Sequence, residues 1–300
     1  MFNGRYFLSG MNNYLQKKVD QSLRLLESAG KRGVVEVAYS GGKDSDVILE
    51  LTKMAGIEYR AIYKNTTIDP PGTKEHVLSN DVEIRNPKRG FYSIVRAKGF
   101  PSMFMRFCCS ELKEYPILDR VVLGVRRAES VKRAHRYIEP EVCRIYKGHN
   151  GCVSQILPIT EWTNDDVEAL IKARGIQCHP LYYDEDGKFH VERRLGCVGC
   201  PLKHDRGVAD YLRYPKYLVA LLRAGQHWLD SHPNGKLPKK VNGNVWDLYY
   251  MTHHCHSYQE YKEHVTPDMF GNKVDTHQFI CDKYGITEDL KVDNFHFGNS

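Results

Sequence analysis

Residues 34–49 read VVEVAYSGGKDSDVIL, and the order of residue types along them decides the fold. Val34, Val35, Val37 and Ala38 form a short run rich in β-branched residues, the signature of a buried strand. Ser40-Gly41-Gly42-Lys43-Asp44-Ser45 follows at once, and between Asp46 and Lys53 the residues Val47, Ile48 and Leu51 fall at helical spacing. A strand, a glycine turn and a helix in succession aim the backbone N–H groups of a helix N-terminus at one point, where a phosphate can sit. The glycines let the backbone approach the anion, Lys43 adds positive charge, and the Ser40 and Ser45 hydroxyls add donors. The spacing G-x-x-x-x-G-K-[ST] is absent. An ordinary βα turn is the plain alternative, but six specified residues between a strand and a helix favour an anion loop.

Outward from this stretch the pattern repeats. Asn12 to Ala29 places Leu15, Val19, Leu23 and Leu26 on one helical face, and Lys31-Arg32-Gly33 ends it. Gly56 breaks the loop helix, and Tyr59 to Tyr63 reads as a second strand, giving a βαβ unit of a parallel sheet. Residues 82–87, 120–124 and 156–159 read as further strands, and 90–98 and 165–173 as helices. Thr163 and Asp166 form a capping box for the last of these. The expectation is an α/β protein: a parallel five-stranded sheet flanked by helices over residues 1–204, then a mostly helical region over 205–300. In that region 208–228 is helical with a break at Tyr214-Pro215, and 244–251 and 258–264 form short helices.

With 41% hydrophobic and 27% charged residues, the composition is that of a soluble globular protein. No apolar run approaches the ~20 residues that span a bilayer. The opening MFNGRYFLSG lacks the regions of a secretory signal, so a cytoplasmic location with no membrane partner is expected. A net charge of +6 suits a nucleotide or a polyanion without establishing nucleic-acid binding.

Ligands of such sheets lie beyond the carboxyl ends of the strands. Asn65-Thr66-Thr67-Ile68-Asp69-Pro70-Pro71 occupies that place after the second strand, so Asn65, Thr66 and Asp69 are expected to face a nucleotide. Asp69 would hold a magnesium ion or a ribose hydroxyl. A proline-stiffened polar turn is the alternative. After the fourth strand come Gly124-Val125-Arg126-Arg127-Ala128-Glu129-Ser130 and then Arg133, whose guanidinium groups suit bidentate binding of phosphate or sulfate.

Nine cysteines in a chain without an export signal point to metal or redox chemistry rather than a disulfide framework. Cys197-Val198-Gly199-Cys200 is a tight C-x-x-C, and Cys108 and Cys109 are adjacent. Four such thiolates could bind zinc or an iron–sulfur cluster. Neighbouring cysteines suit the larger cluster, because they can reach different irons. Cys143, Cys152 and Cys178 have no such spacing and stay unassigned, and His179 and His204 read as surface or supporting residues. In His253-His254-Cys255-His256 the neighbouring histidines point different ways around a helix, which disfavours a second metal site. Cys255 as a sulfur-carrying thiol would need an imidazolium to lower its pKa.

The motifs SGGKDS, NTTIDPP, Cys-Cys, GVRRAES, the P-I-x-x-W-T-x-x-D-V segment at Pro158–Val167 and C-x-x-C, in that order, resemble those of the phosphoadenylyl-sulfate (PAPS) reductase family. That family lies within the PP-loop ATP pyrophosphatase superfamily, and the likeness runs from about Val34 to Tyr217. The cysteine pattern is similar to that of 4Fe–4S adenylyl-sulfate reductases and of DNA phosphorothioation sulfurtransferases. The resemblance implies a Rossmann-like sheet of the adenine nucleotide α-hydrolase kind. It implies ATP or an adenylyl nucleotide, with Mg2+, at Ser40, Gly41, Gly42, Lys43, Asp44, Ser45, Gly124, Arg126, Arg127, Glu129, Ser130 and Arg133. Lys43, Asp44 and Arg126 would be catalytic. A 4Fe–4S cluster would sit on Cys108, Cys109, Cys197 and Cys200, with zinc as the alternative.

One departure changes the expected chemistry. The reductases carry a Glu-Cys-Gly-(Leu/Ile)-His tail with the nucleophilic cysteine, whereas Cys281 here lies in FICDKYG without those neighbours. The leading expectation is therefore an ATP-using sulfurtransferase that adenylylates its acceptor with release of pyrophosphate. A nucleic acid is a candidate acceptor, a cysteine desulfurase or thioredoxin-like protein a candidate donor, and a homo-oligomer a candidate state. The alternatives are an adenylyl-sulfate or phosphoadenylyl-sulfate reductase using Cys281 or Cys255, and a nucleotide-sensing subunit.

Overall fold

The computed structural model describes residues 13–146 and 151–287; the readings made on MFNGRYFLSG and on the tail beyond Thr287 fall outside them. In chain order the elements are α1 (Asn13–Gly30), β1 (Val35–Tyr39), α2 (Lys43–Ala55), β2 (Tyr59–Lys64), α3 (Thr73–Ser79), β3 (Glu83–Arg85), α4 (Phe91–Lys98), α5 (Phe107–Leu112) and β4 (Arg120–Val122). There follow α6 (Val131–Arg136), β5 (Glu141–Ile145), β6 (Cys152–Ile156), α7 (Asn164–Arg174), α8 (Val208–Arg213), α9 (Pro215–Ser231), α10 (Lys236–Lys240), α11 (Val245–His253), α12 (Tyr258–Val265) and α13 (Thr276–Tyr284). These elements form two units. One holds the chain up to Asn65, Asp69–Pro87 and Glu111–Gly196; the other holds Thr66–Ile68, Lys88–Ser110 and the chain from Cys197 onward. This division differs from a single break at 204/205, because 66–68 and 88–110 group with the carboxyl-terminal helices.

The first unit is built on a sheet of order β3-β2-β1-β4-β6-β5. Five strands run parallel, as the βαβ reading requires, and β5 pairs antiparallel with β6 at the edge. The sheet thus has six strands rather than five. The extra strand, EVCRI, mixes charge with apolar residues and is only half-buried, as an edge strand permits. Cys143 and Cys152, two of the unassigned cysteines, form a disulfide between these strands with Cα atoms 5.7 Å apart. The expectation of cysteines without disulfides is corrected at that one hairpin.

β1 is the centre of the sheet, with Val35 and Val37 fully buried. Its Glu36 is also 0% exposed, and a buried carboxylate is tolerated only when fully partnered. Lys64 on β2 donates to Oε1 at 2.8 Å, and the amides of Ile117 and Leu118 donate to Oε2 at 2.6 and 3.1 Å. The charge therefore ties β1 to β2 and to the chain entering β4. α1 buries Leu15, Val19, Leu23 and Leu26 as its periodicity predicts, and Lys18 reaches Asp166 on α7 at 2.6 Å. The α7 capping box is formed, with Asp166 N donating to Thr163 Oγ1 and Thr163 N to Asp166 Oδ2.

In the second unit α4 packs on α9, and Gly225 permits the contact, since a Cβ there would lie 2.3 Å from the Phe100 ring. The helix break at Tyr214-Pro215 is present, with Pro215 opening α9 where a missing N–H is harmless. α13 was not expected from the sequence; it joins α11 through the Tyr249 hydroxyl donating to Tyr284 Oη at 3.0 Å. Among the described residues no helix is long and apolar enough to cross a membrane.

His179 in the first unit is 0% exposed. Its Nδ1 accepts from Leu181 N at 3.1 Å, so Nε2 carries the proton and donates to Thr73 Oγ1 at 3.2 Å. Burial, with His76 beside it, pushes its pKa from 6.5 to about 4. Between those values the unfolded chain binds a proton that the folded chain refuses, so stability rises with pH and is lost as pH falls from about 6.5 towards 4. The contribution is up to about 3 kcal/mol. Urea unfolding at pH 7 and pH 5 should show a steeper loss in the parent than in His179→Asn, which keeps the acceptor but does not titrate.

Candidate functional site

The glycine turn lies in the first unit. α2 begins at Lys43, earlier than the Asp46 expected from apolar spacing, because Gly42 in extended conformation serves as an N-cap without a side chain. Gly41 has φ +75°, which a side chain would resist, and a Cβ there would press on Thr73 at 3.3 Å. The Gly42 carbonyl accepts from the amides of Ser45 and Asp46 at 2.8 and 3.0 Å and from Ser45 Oγ at 2.6 Å. The turn is thereby tied to the first turn of its own helix.

Beneath it lies a buried polar cluster. Asp46 is 3% exposed, and its Oδ1 accepts from the Tyr39 hydroxyl at the end of β1 and lies 3.0 Å from His76 Nε2 on α3. Burial raises the Asp46 pKa, and the His76 and Tyr39 hydrogen bonds oppose that shift. Cys178, also buried, has its thiol pushed up by burial and then by Asp46.

At the turn is a cavity of about 250 Å³ lined by Ala38, Ser40, Gly42, Lys43, Asp44, Ser45, Gly124, Glu129, Arg133, Tyr182, Arg194 and Leu195. Lys43 is 3% exposed, with Nζ 3.4 Å from both Asp44 Oδ2 and the Arg193 carbonyl. Burial lowers its pKa, Asp44 opposes, and Arg126 and Arg194 push it further down. Such a cation gains from a polyanion that restores its charge compensation. The Lys43 amide donates to Tyr182 Oη at 3.2 Å, and the Leu195 amide to the same oxygen at 3.3 Å.

The arginine run divides its work. Arg126 is 2% exposed and does not line the cavity; its guanidinium donates to Asp44 Oδ1 at 2.8 Å, Asn164 Oδ1 at 2.9 Å and the Trp162 carbonyl at 3.4 Å. It holds Asp44 in place. Gly124 lets the end of β4 reach α2, since a Cβ would sit 2.9 Å from the Asp44 carbonyl oxygen. Glu129 and Arg133 reach the cavity and pair with each other. Ser130 caps α6 by accepting from Arg133 N at 3.2 Å, and Arg127 pairs with Glu161 at 2.6 Å on the surface. Asn65 donates to Asn86 Oδ1 at 2.9 Å, and Asp69 accepts from the Tyr63 hydroxyl at 2.5 Å; neither lines the cavity. Tyr182, Arg194 and Leu195 were not anticipated. Only the paired Arg193-Arg194 ahead of the C-x-x-C offered a signal.

The four expected ligand cysteines all fall in the second unit. The Cys108 thiol is pushed well up by its hydrogen bond to Cys109, then by burial and by Cys109, Cys197 and Cys200. The donor set is all sulfur, which suits iron or zinc. Among the described residues, however, no group of three or more His, Cys, Asp or Glu side chains is arranged to hold a metal ion. The chemistry of the donors fits a metal group, but the side-chain geometry is not preformed. Gly199 shapes the C-x-x-C turn: its φ is +69°, a Cβ would collide with Tyr211 Oη, and its amide donates to Asp210 at 2.8 Å. Thr66 is in this unit too, and Cys197 Sγ donates to its Oγ1 at 3.6 Å.

Cys255 is 3% exposed, with Sγ 3.9 Å from His264 Nδ1. Burial, then Glu260, pushes its thiol up to about 11, while Arg206 opposes. Cys281 lies half-buried on α13.

Removing Arg126 takes from Asp44 the guanidinium that donates to its Oδ1 and leaves Asn164 Oδ1 without that donor. Arg126→Met should destabilise the protein by roughly 3 kcal/mol, as when a buried pair is left with a single member, read as a lowered midpoint in urea. Arg126→Lys should recover only part, because an ammonium cannot serve three acceptors in a plane.

The phosphoadenosine phosphosulfate reductase domain matches residues 35–203, more than half of the chain. A 37.8 kDa uncharacterized protein of Escherichia phage 186 is 31% identical over 158 residues, 47% of this chain and 44% of its own. The tRNA-cytidine(32) 2-sulfurtransferase of Pseudoalteromonas atlantica is 26% identical over 186 residues, 59% of this chain and 55% of its own. The matches thus span about half the length of these relatives. A crystal structure of Candida glabrata FMN adenylyltransferase with FMN and AMPCPP aligns at TM-score 0.41 and 12% identity, over 64% of this chain and 67% of that one; the likeness is too slight to argue from.

Proposed function

The chain belongs to the phosphoadenosine phosphosulfate reductase domain family, and from that premise we propose that it is an ATP-using sulfurtransferase whose acceptor is an RNA base. The observation that carries this reading is the cavity at the glycine turn, where Lys43, Arg133 and Arg194 converge with the turn and the start of α2. The family match supports a nucleotide there, and the relative that bears the name of a tRNA sulfurtransferase supports the acceptor class.

ATP, with its Mg2+, would lie with its phosphates on the turn. An oxygen of the acceptor attacks the α-phosphorus, the bond from that phosphorus to the bridging oxygen breaks, and pyrophosphate leaves with the electron pair. Lys43 and Arg133 neutralise the charge gathering on pyrophosphate, from positions set before the reaction. Asp44, fixed by Arg126, keeps Lys43 oriented and charged. The terminal sulfur of a persulfide on a donor protein then attacks the activated carbon and displaces AMP, and a second thiol of the donor cleaves the resulting S–S bond, freeing the thiolated base and leaving the donor's two sulfurs as a disulfide. Cys108, Cys109, Cys197 and Cys200 would hold an iron–sulfur cluster, which when bound supplies a centre for handling sulfur. Cys255, whose thiol is raised rather than lowered, is a poor candidate for the nucleophile of a sulfonucleotide reductase.

Anaerobically purified protein should exchange labelled pyrophosphate into ATP when given an RNA acceptor. Lys43→Met should slow that exchange by about 10²–10³-fold, the range for a missing preorganised donor. Sulfite release from adenylyl sulfate with thioredoxin, and no exchange, would establish the reductase reading instead. Iron and sulfide should each fall on replacing Cys108 or Cys197 with Ser; stoichiometric zinc without sulfide would replace the cluster with a zinc site.

A further inference from the structure

We propose that residues 88–110 form a docking surface for unpaired RNA, which extends the reading above by naming where its acceptor binds. Lys88, Arg89, Arg96, Lys98 and Arg106 are all exposed, and no Asp or Glu stands between Pro87 and Glu111. This short segment therefore carries a net charge of five, against six for the whole chain. Within it Phe104 is 97% exposed, flanked by Met103 at 60% and Met105 at 51%. A phenyl ring held in water is costly for an isolated surface, and such apolar tips mark contact sites.

The arrangement follows from the fold of the second unit. α4 buries Phe91, Ile94 and Val95 and turns Arg96 outward. Lys88 and Arg89 precede α4 while Arg96 and Lys98 end it, so basic groups stand at both ends of a helix about 12 Å long. Lys98 Nζ lies 5.7 Å over the Phe107 ring, which sets the far end of α4 beside the start of α5. Cys108 and Cys109 follow Phe107 directly. An exposed aromatic in a segment whose charges are all positive has the two components by which proteins hold single strands: bases stack on rings and phosphates meet cations. A duplex offers no open base face to Phe104, so the occupant is an unpaired stretch. A base stacked on Phe104 would lie within a few residues of the cysteine pair.

The test is fluorescence anisotropy of a labelled single-stranded RNA about twelve nucleotides long with the full-length protein. Phe104→Ala should weaken binding between about five-fold and a hundred-fold, the span for removal of one base–aromatic stack. Lys88→Glu with Arg96→Glu should lower the slope of log affinity against log salt by at least ~0.7 for each phosphate that the variant no longer neutralises. Both variants change exposed residues outside the nucleotide cavity and should keep the ATP affinity of the parent. Unchanged RNA binding in Phe104→Ala would overturn the proposal. So would equal binding of duplex RNA or polyglutamate, or tighter binding of a DNA strand of the same sequence. Lys43→Met separates the two readings, since it should lose pyrophosphate exchange and keep RNA affinity. Exchange in the parent with RNA binding indifferent to Phe104 sinks the surface alone. Phe104-dependent RNA binding without exchange sinks the sulfurtransferase reading alone.

Discussion

One carboxylate oxygen fixes the glycine turn. Asp46 Oδ1 takes the Tyr39 hydroxyl from the last residue of β1 and stands 3.0 Å from His76 Nε2 of α3, while its own residue belongs to the first turns of α2. Three elements therefore meet at one buried atom. Burying a charge there is unfavourable, and the raised pKa of Asp46 expresses that. Two donors on the same oxygen offset the penalty, and they do so only while strand, turn and helix keep their places. The turn above inherits this rigidity: Gly41 can hold φ +75° and Gly42 its extended cap because neither end is free to relax.

The cavity at the turn is governed by an imbalance of charge. Lys43, Arg133 and Arg194 line it with only Asp44 and Glu129 against them. Asp44 is held from outside the cavity wall by Arg126, and Glu129 is paired with Arg133. Burial presses both Lys43 and Arg133 towards their neutral forms. A site that penalises its own cations binds an anion more strongly than a solvated patch would, because the ligand removes the penalty as well as adding attraction. Tyr182 belongs to the same logic. Its hydroxyl oxygen engages amides of both Lys43 and Leu195, holding the segment before the C-x-x-C against the turn.

Most of this architecture was legible in the chain, because strands buried on both faces and helices with one buried face leave strong periodic marks. The α1 stripe, the strands at 35–39 and 59–64 and the Thr163 capping box appear where the sequence reading placed them. β5 escaped because an edge strand needs only one buried face and EVCRI carries little pattern. Of the site, the turn was readable because glycine and lysine there answer to local backbone chemistry. Tyr182 and Arg194 were not, because they reach the cavity from more than 130 residues away, and nothing local in HPLYYD records where its ring will lie. Arg126 was recognised as an arginine for an anion, whereas the fold spends its donors on Asp44, Asn164 and Trp162. Residue type announced the charge, but only the packing of α2 against β4 decided what it would face.

The run after β2 shows how a motif can be conspicuous for a reason other than the one its position suggests. Asn65 still belongs to the first unit, but Thr66–Ile68 belongs to the second, and the chain returns to the first at Asp69. Within the second unit Thr66 is 1% exposed, with its hydroxyl oxygen 3.6 Å from Cys197 Sγ, and Ile68 O accepts from Val198 N at 2.8 Å. Between them Thr67 has φ +63°, a conformation that a β-branched residue adopts only when its surroundings impose it. Its Oγ1 accepts from the Phe91 amide at 2.9 Å, anchoring the strained residue to the start of α4. Two threonines in a row are thus required by different neighbours: one hydroxyl faces a cysteine sulfur, the other holds the backbone turn that aims it. The polar character of this run therefore answers to Cys197 and to the start of α4.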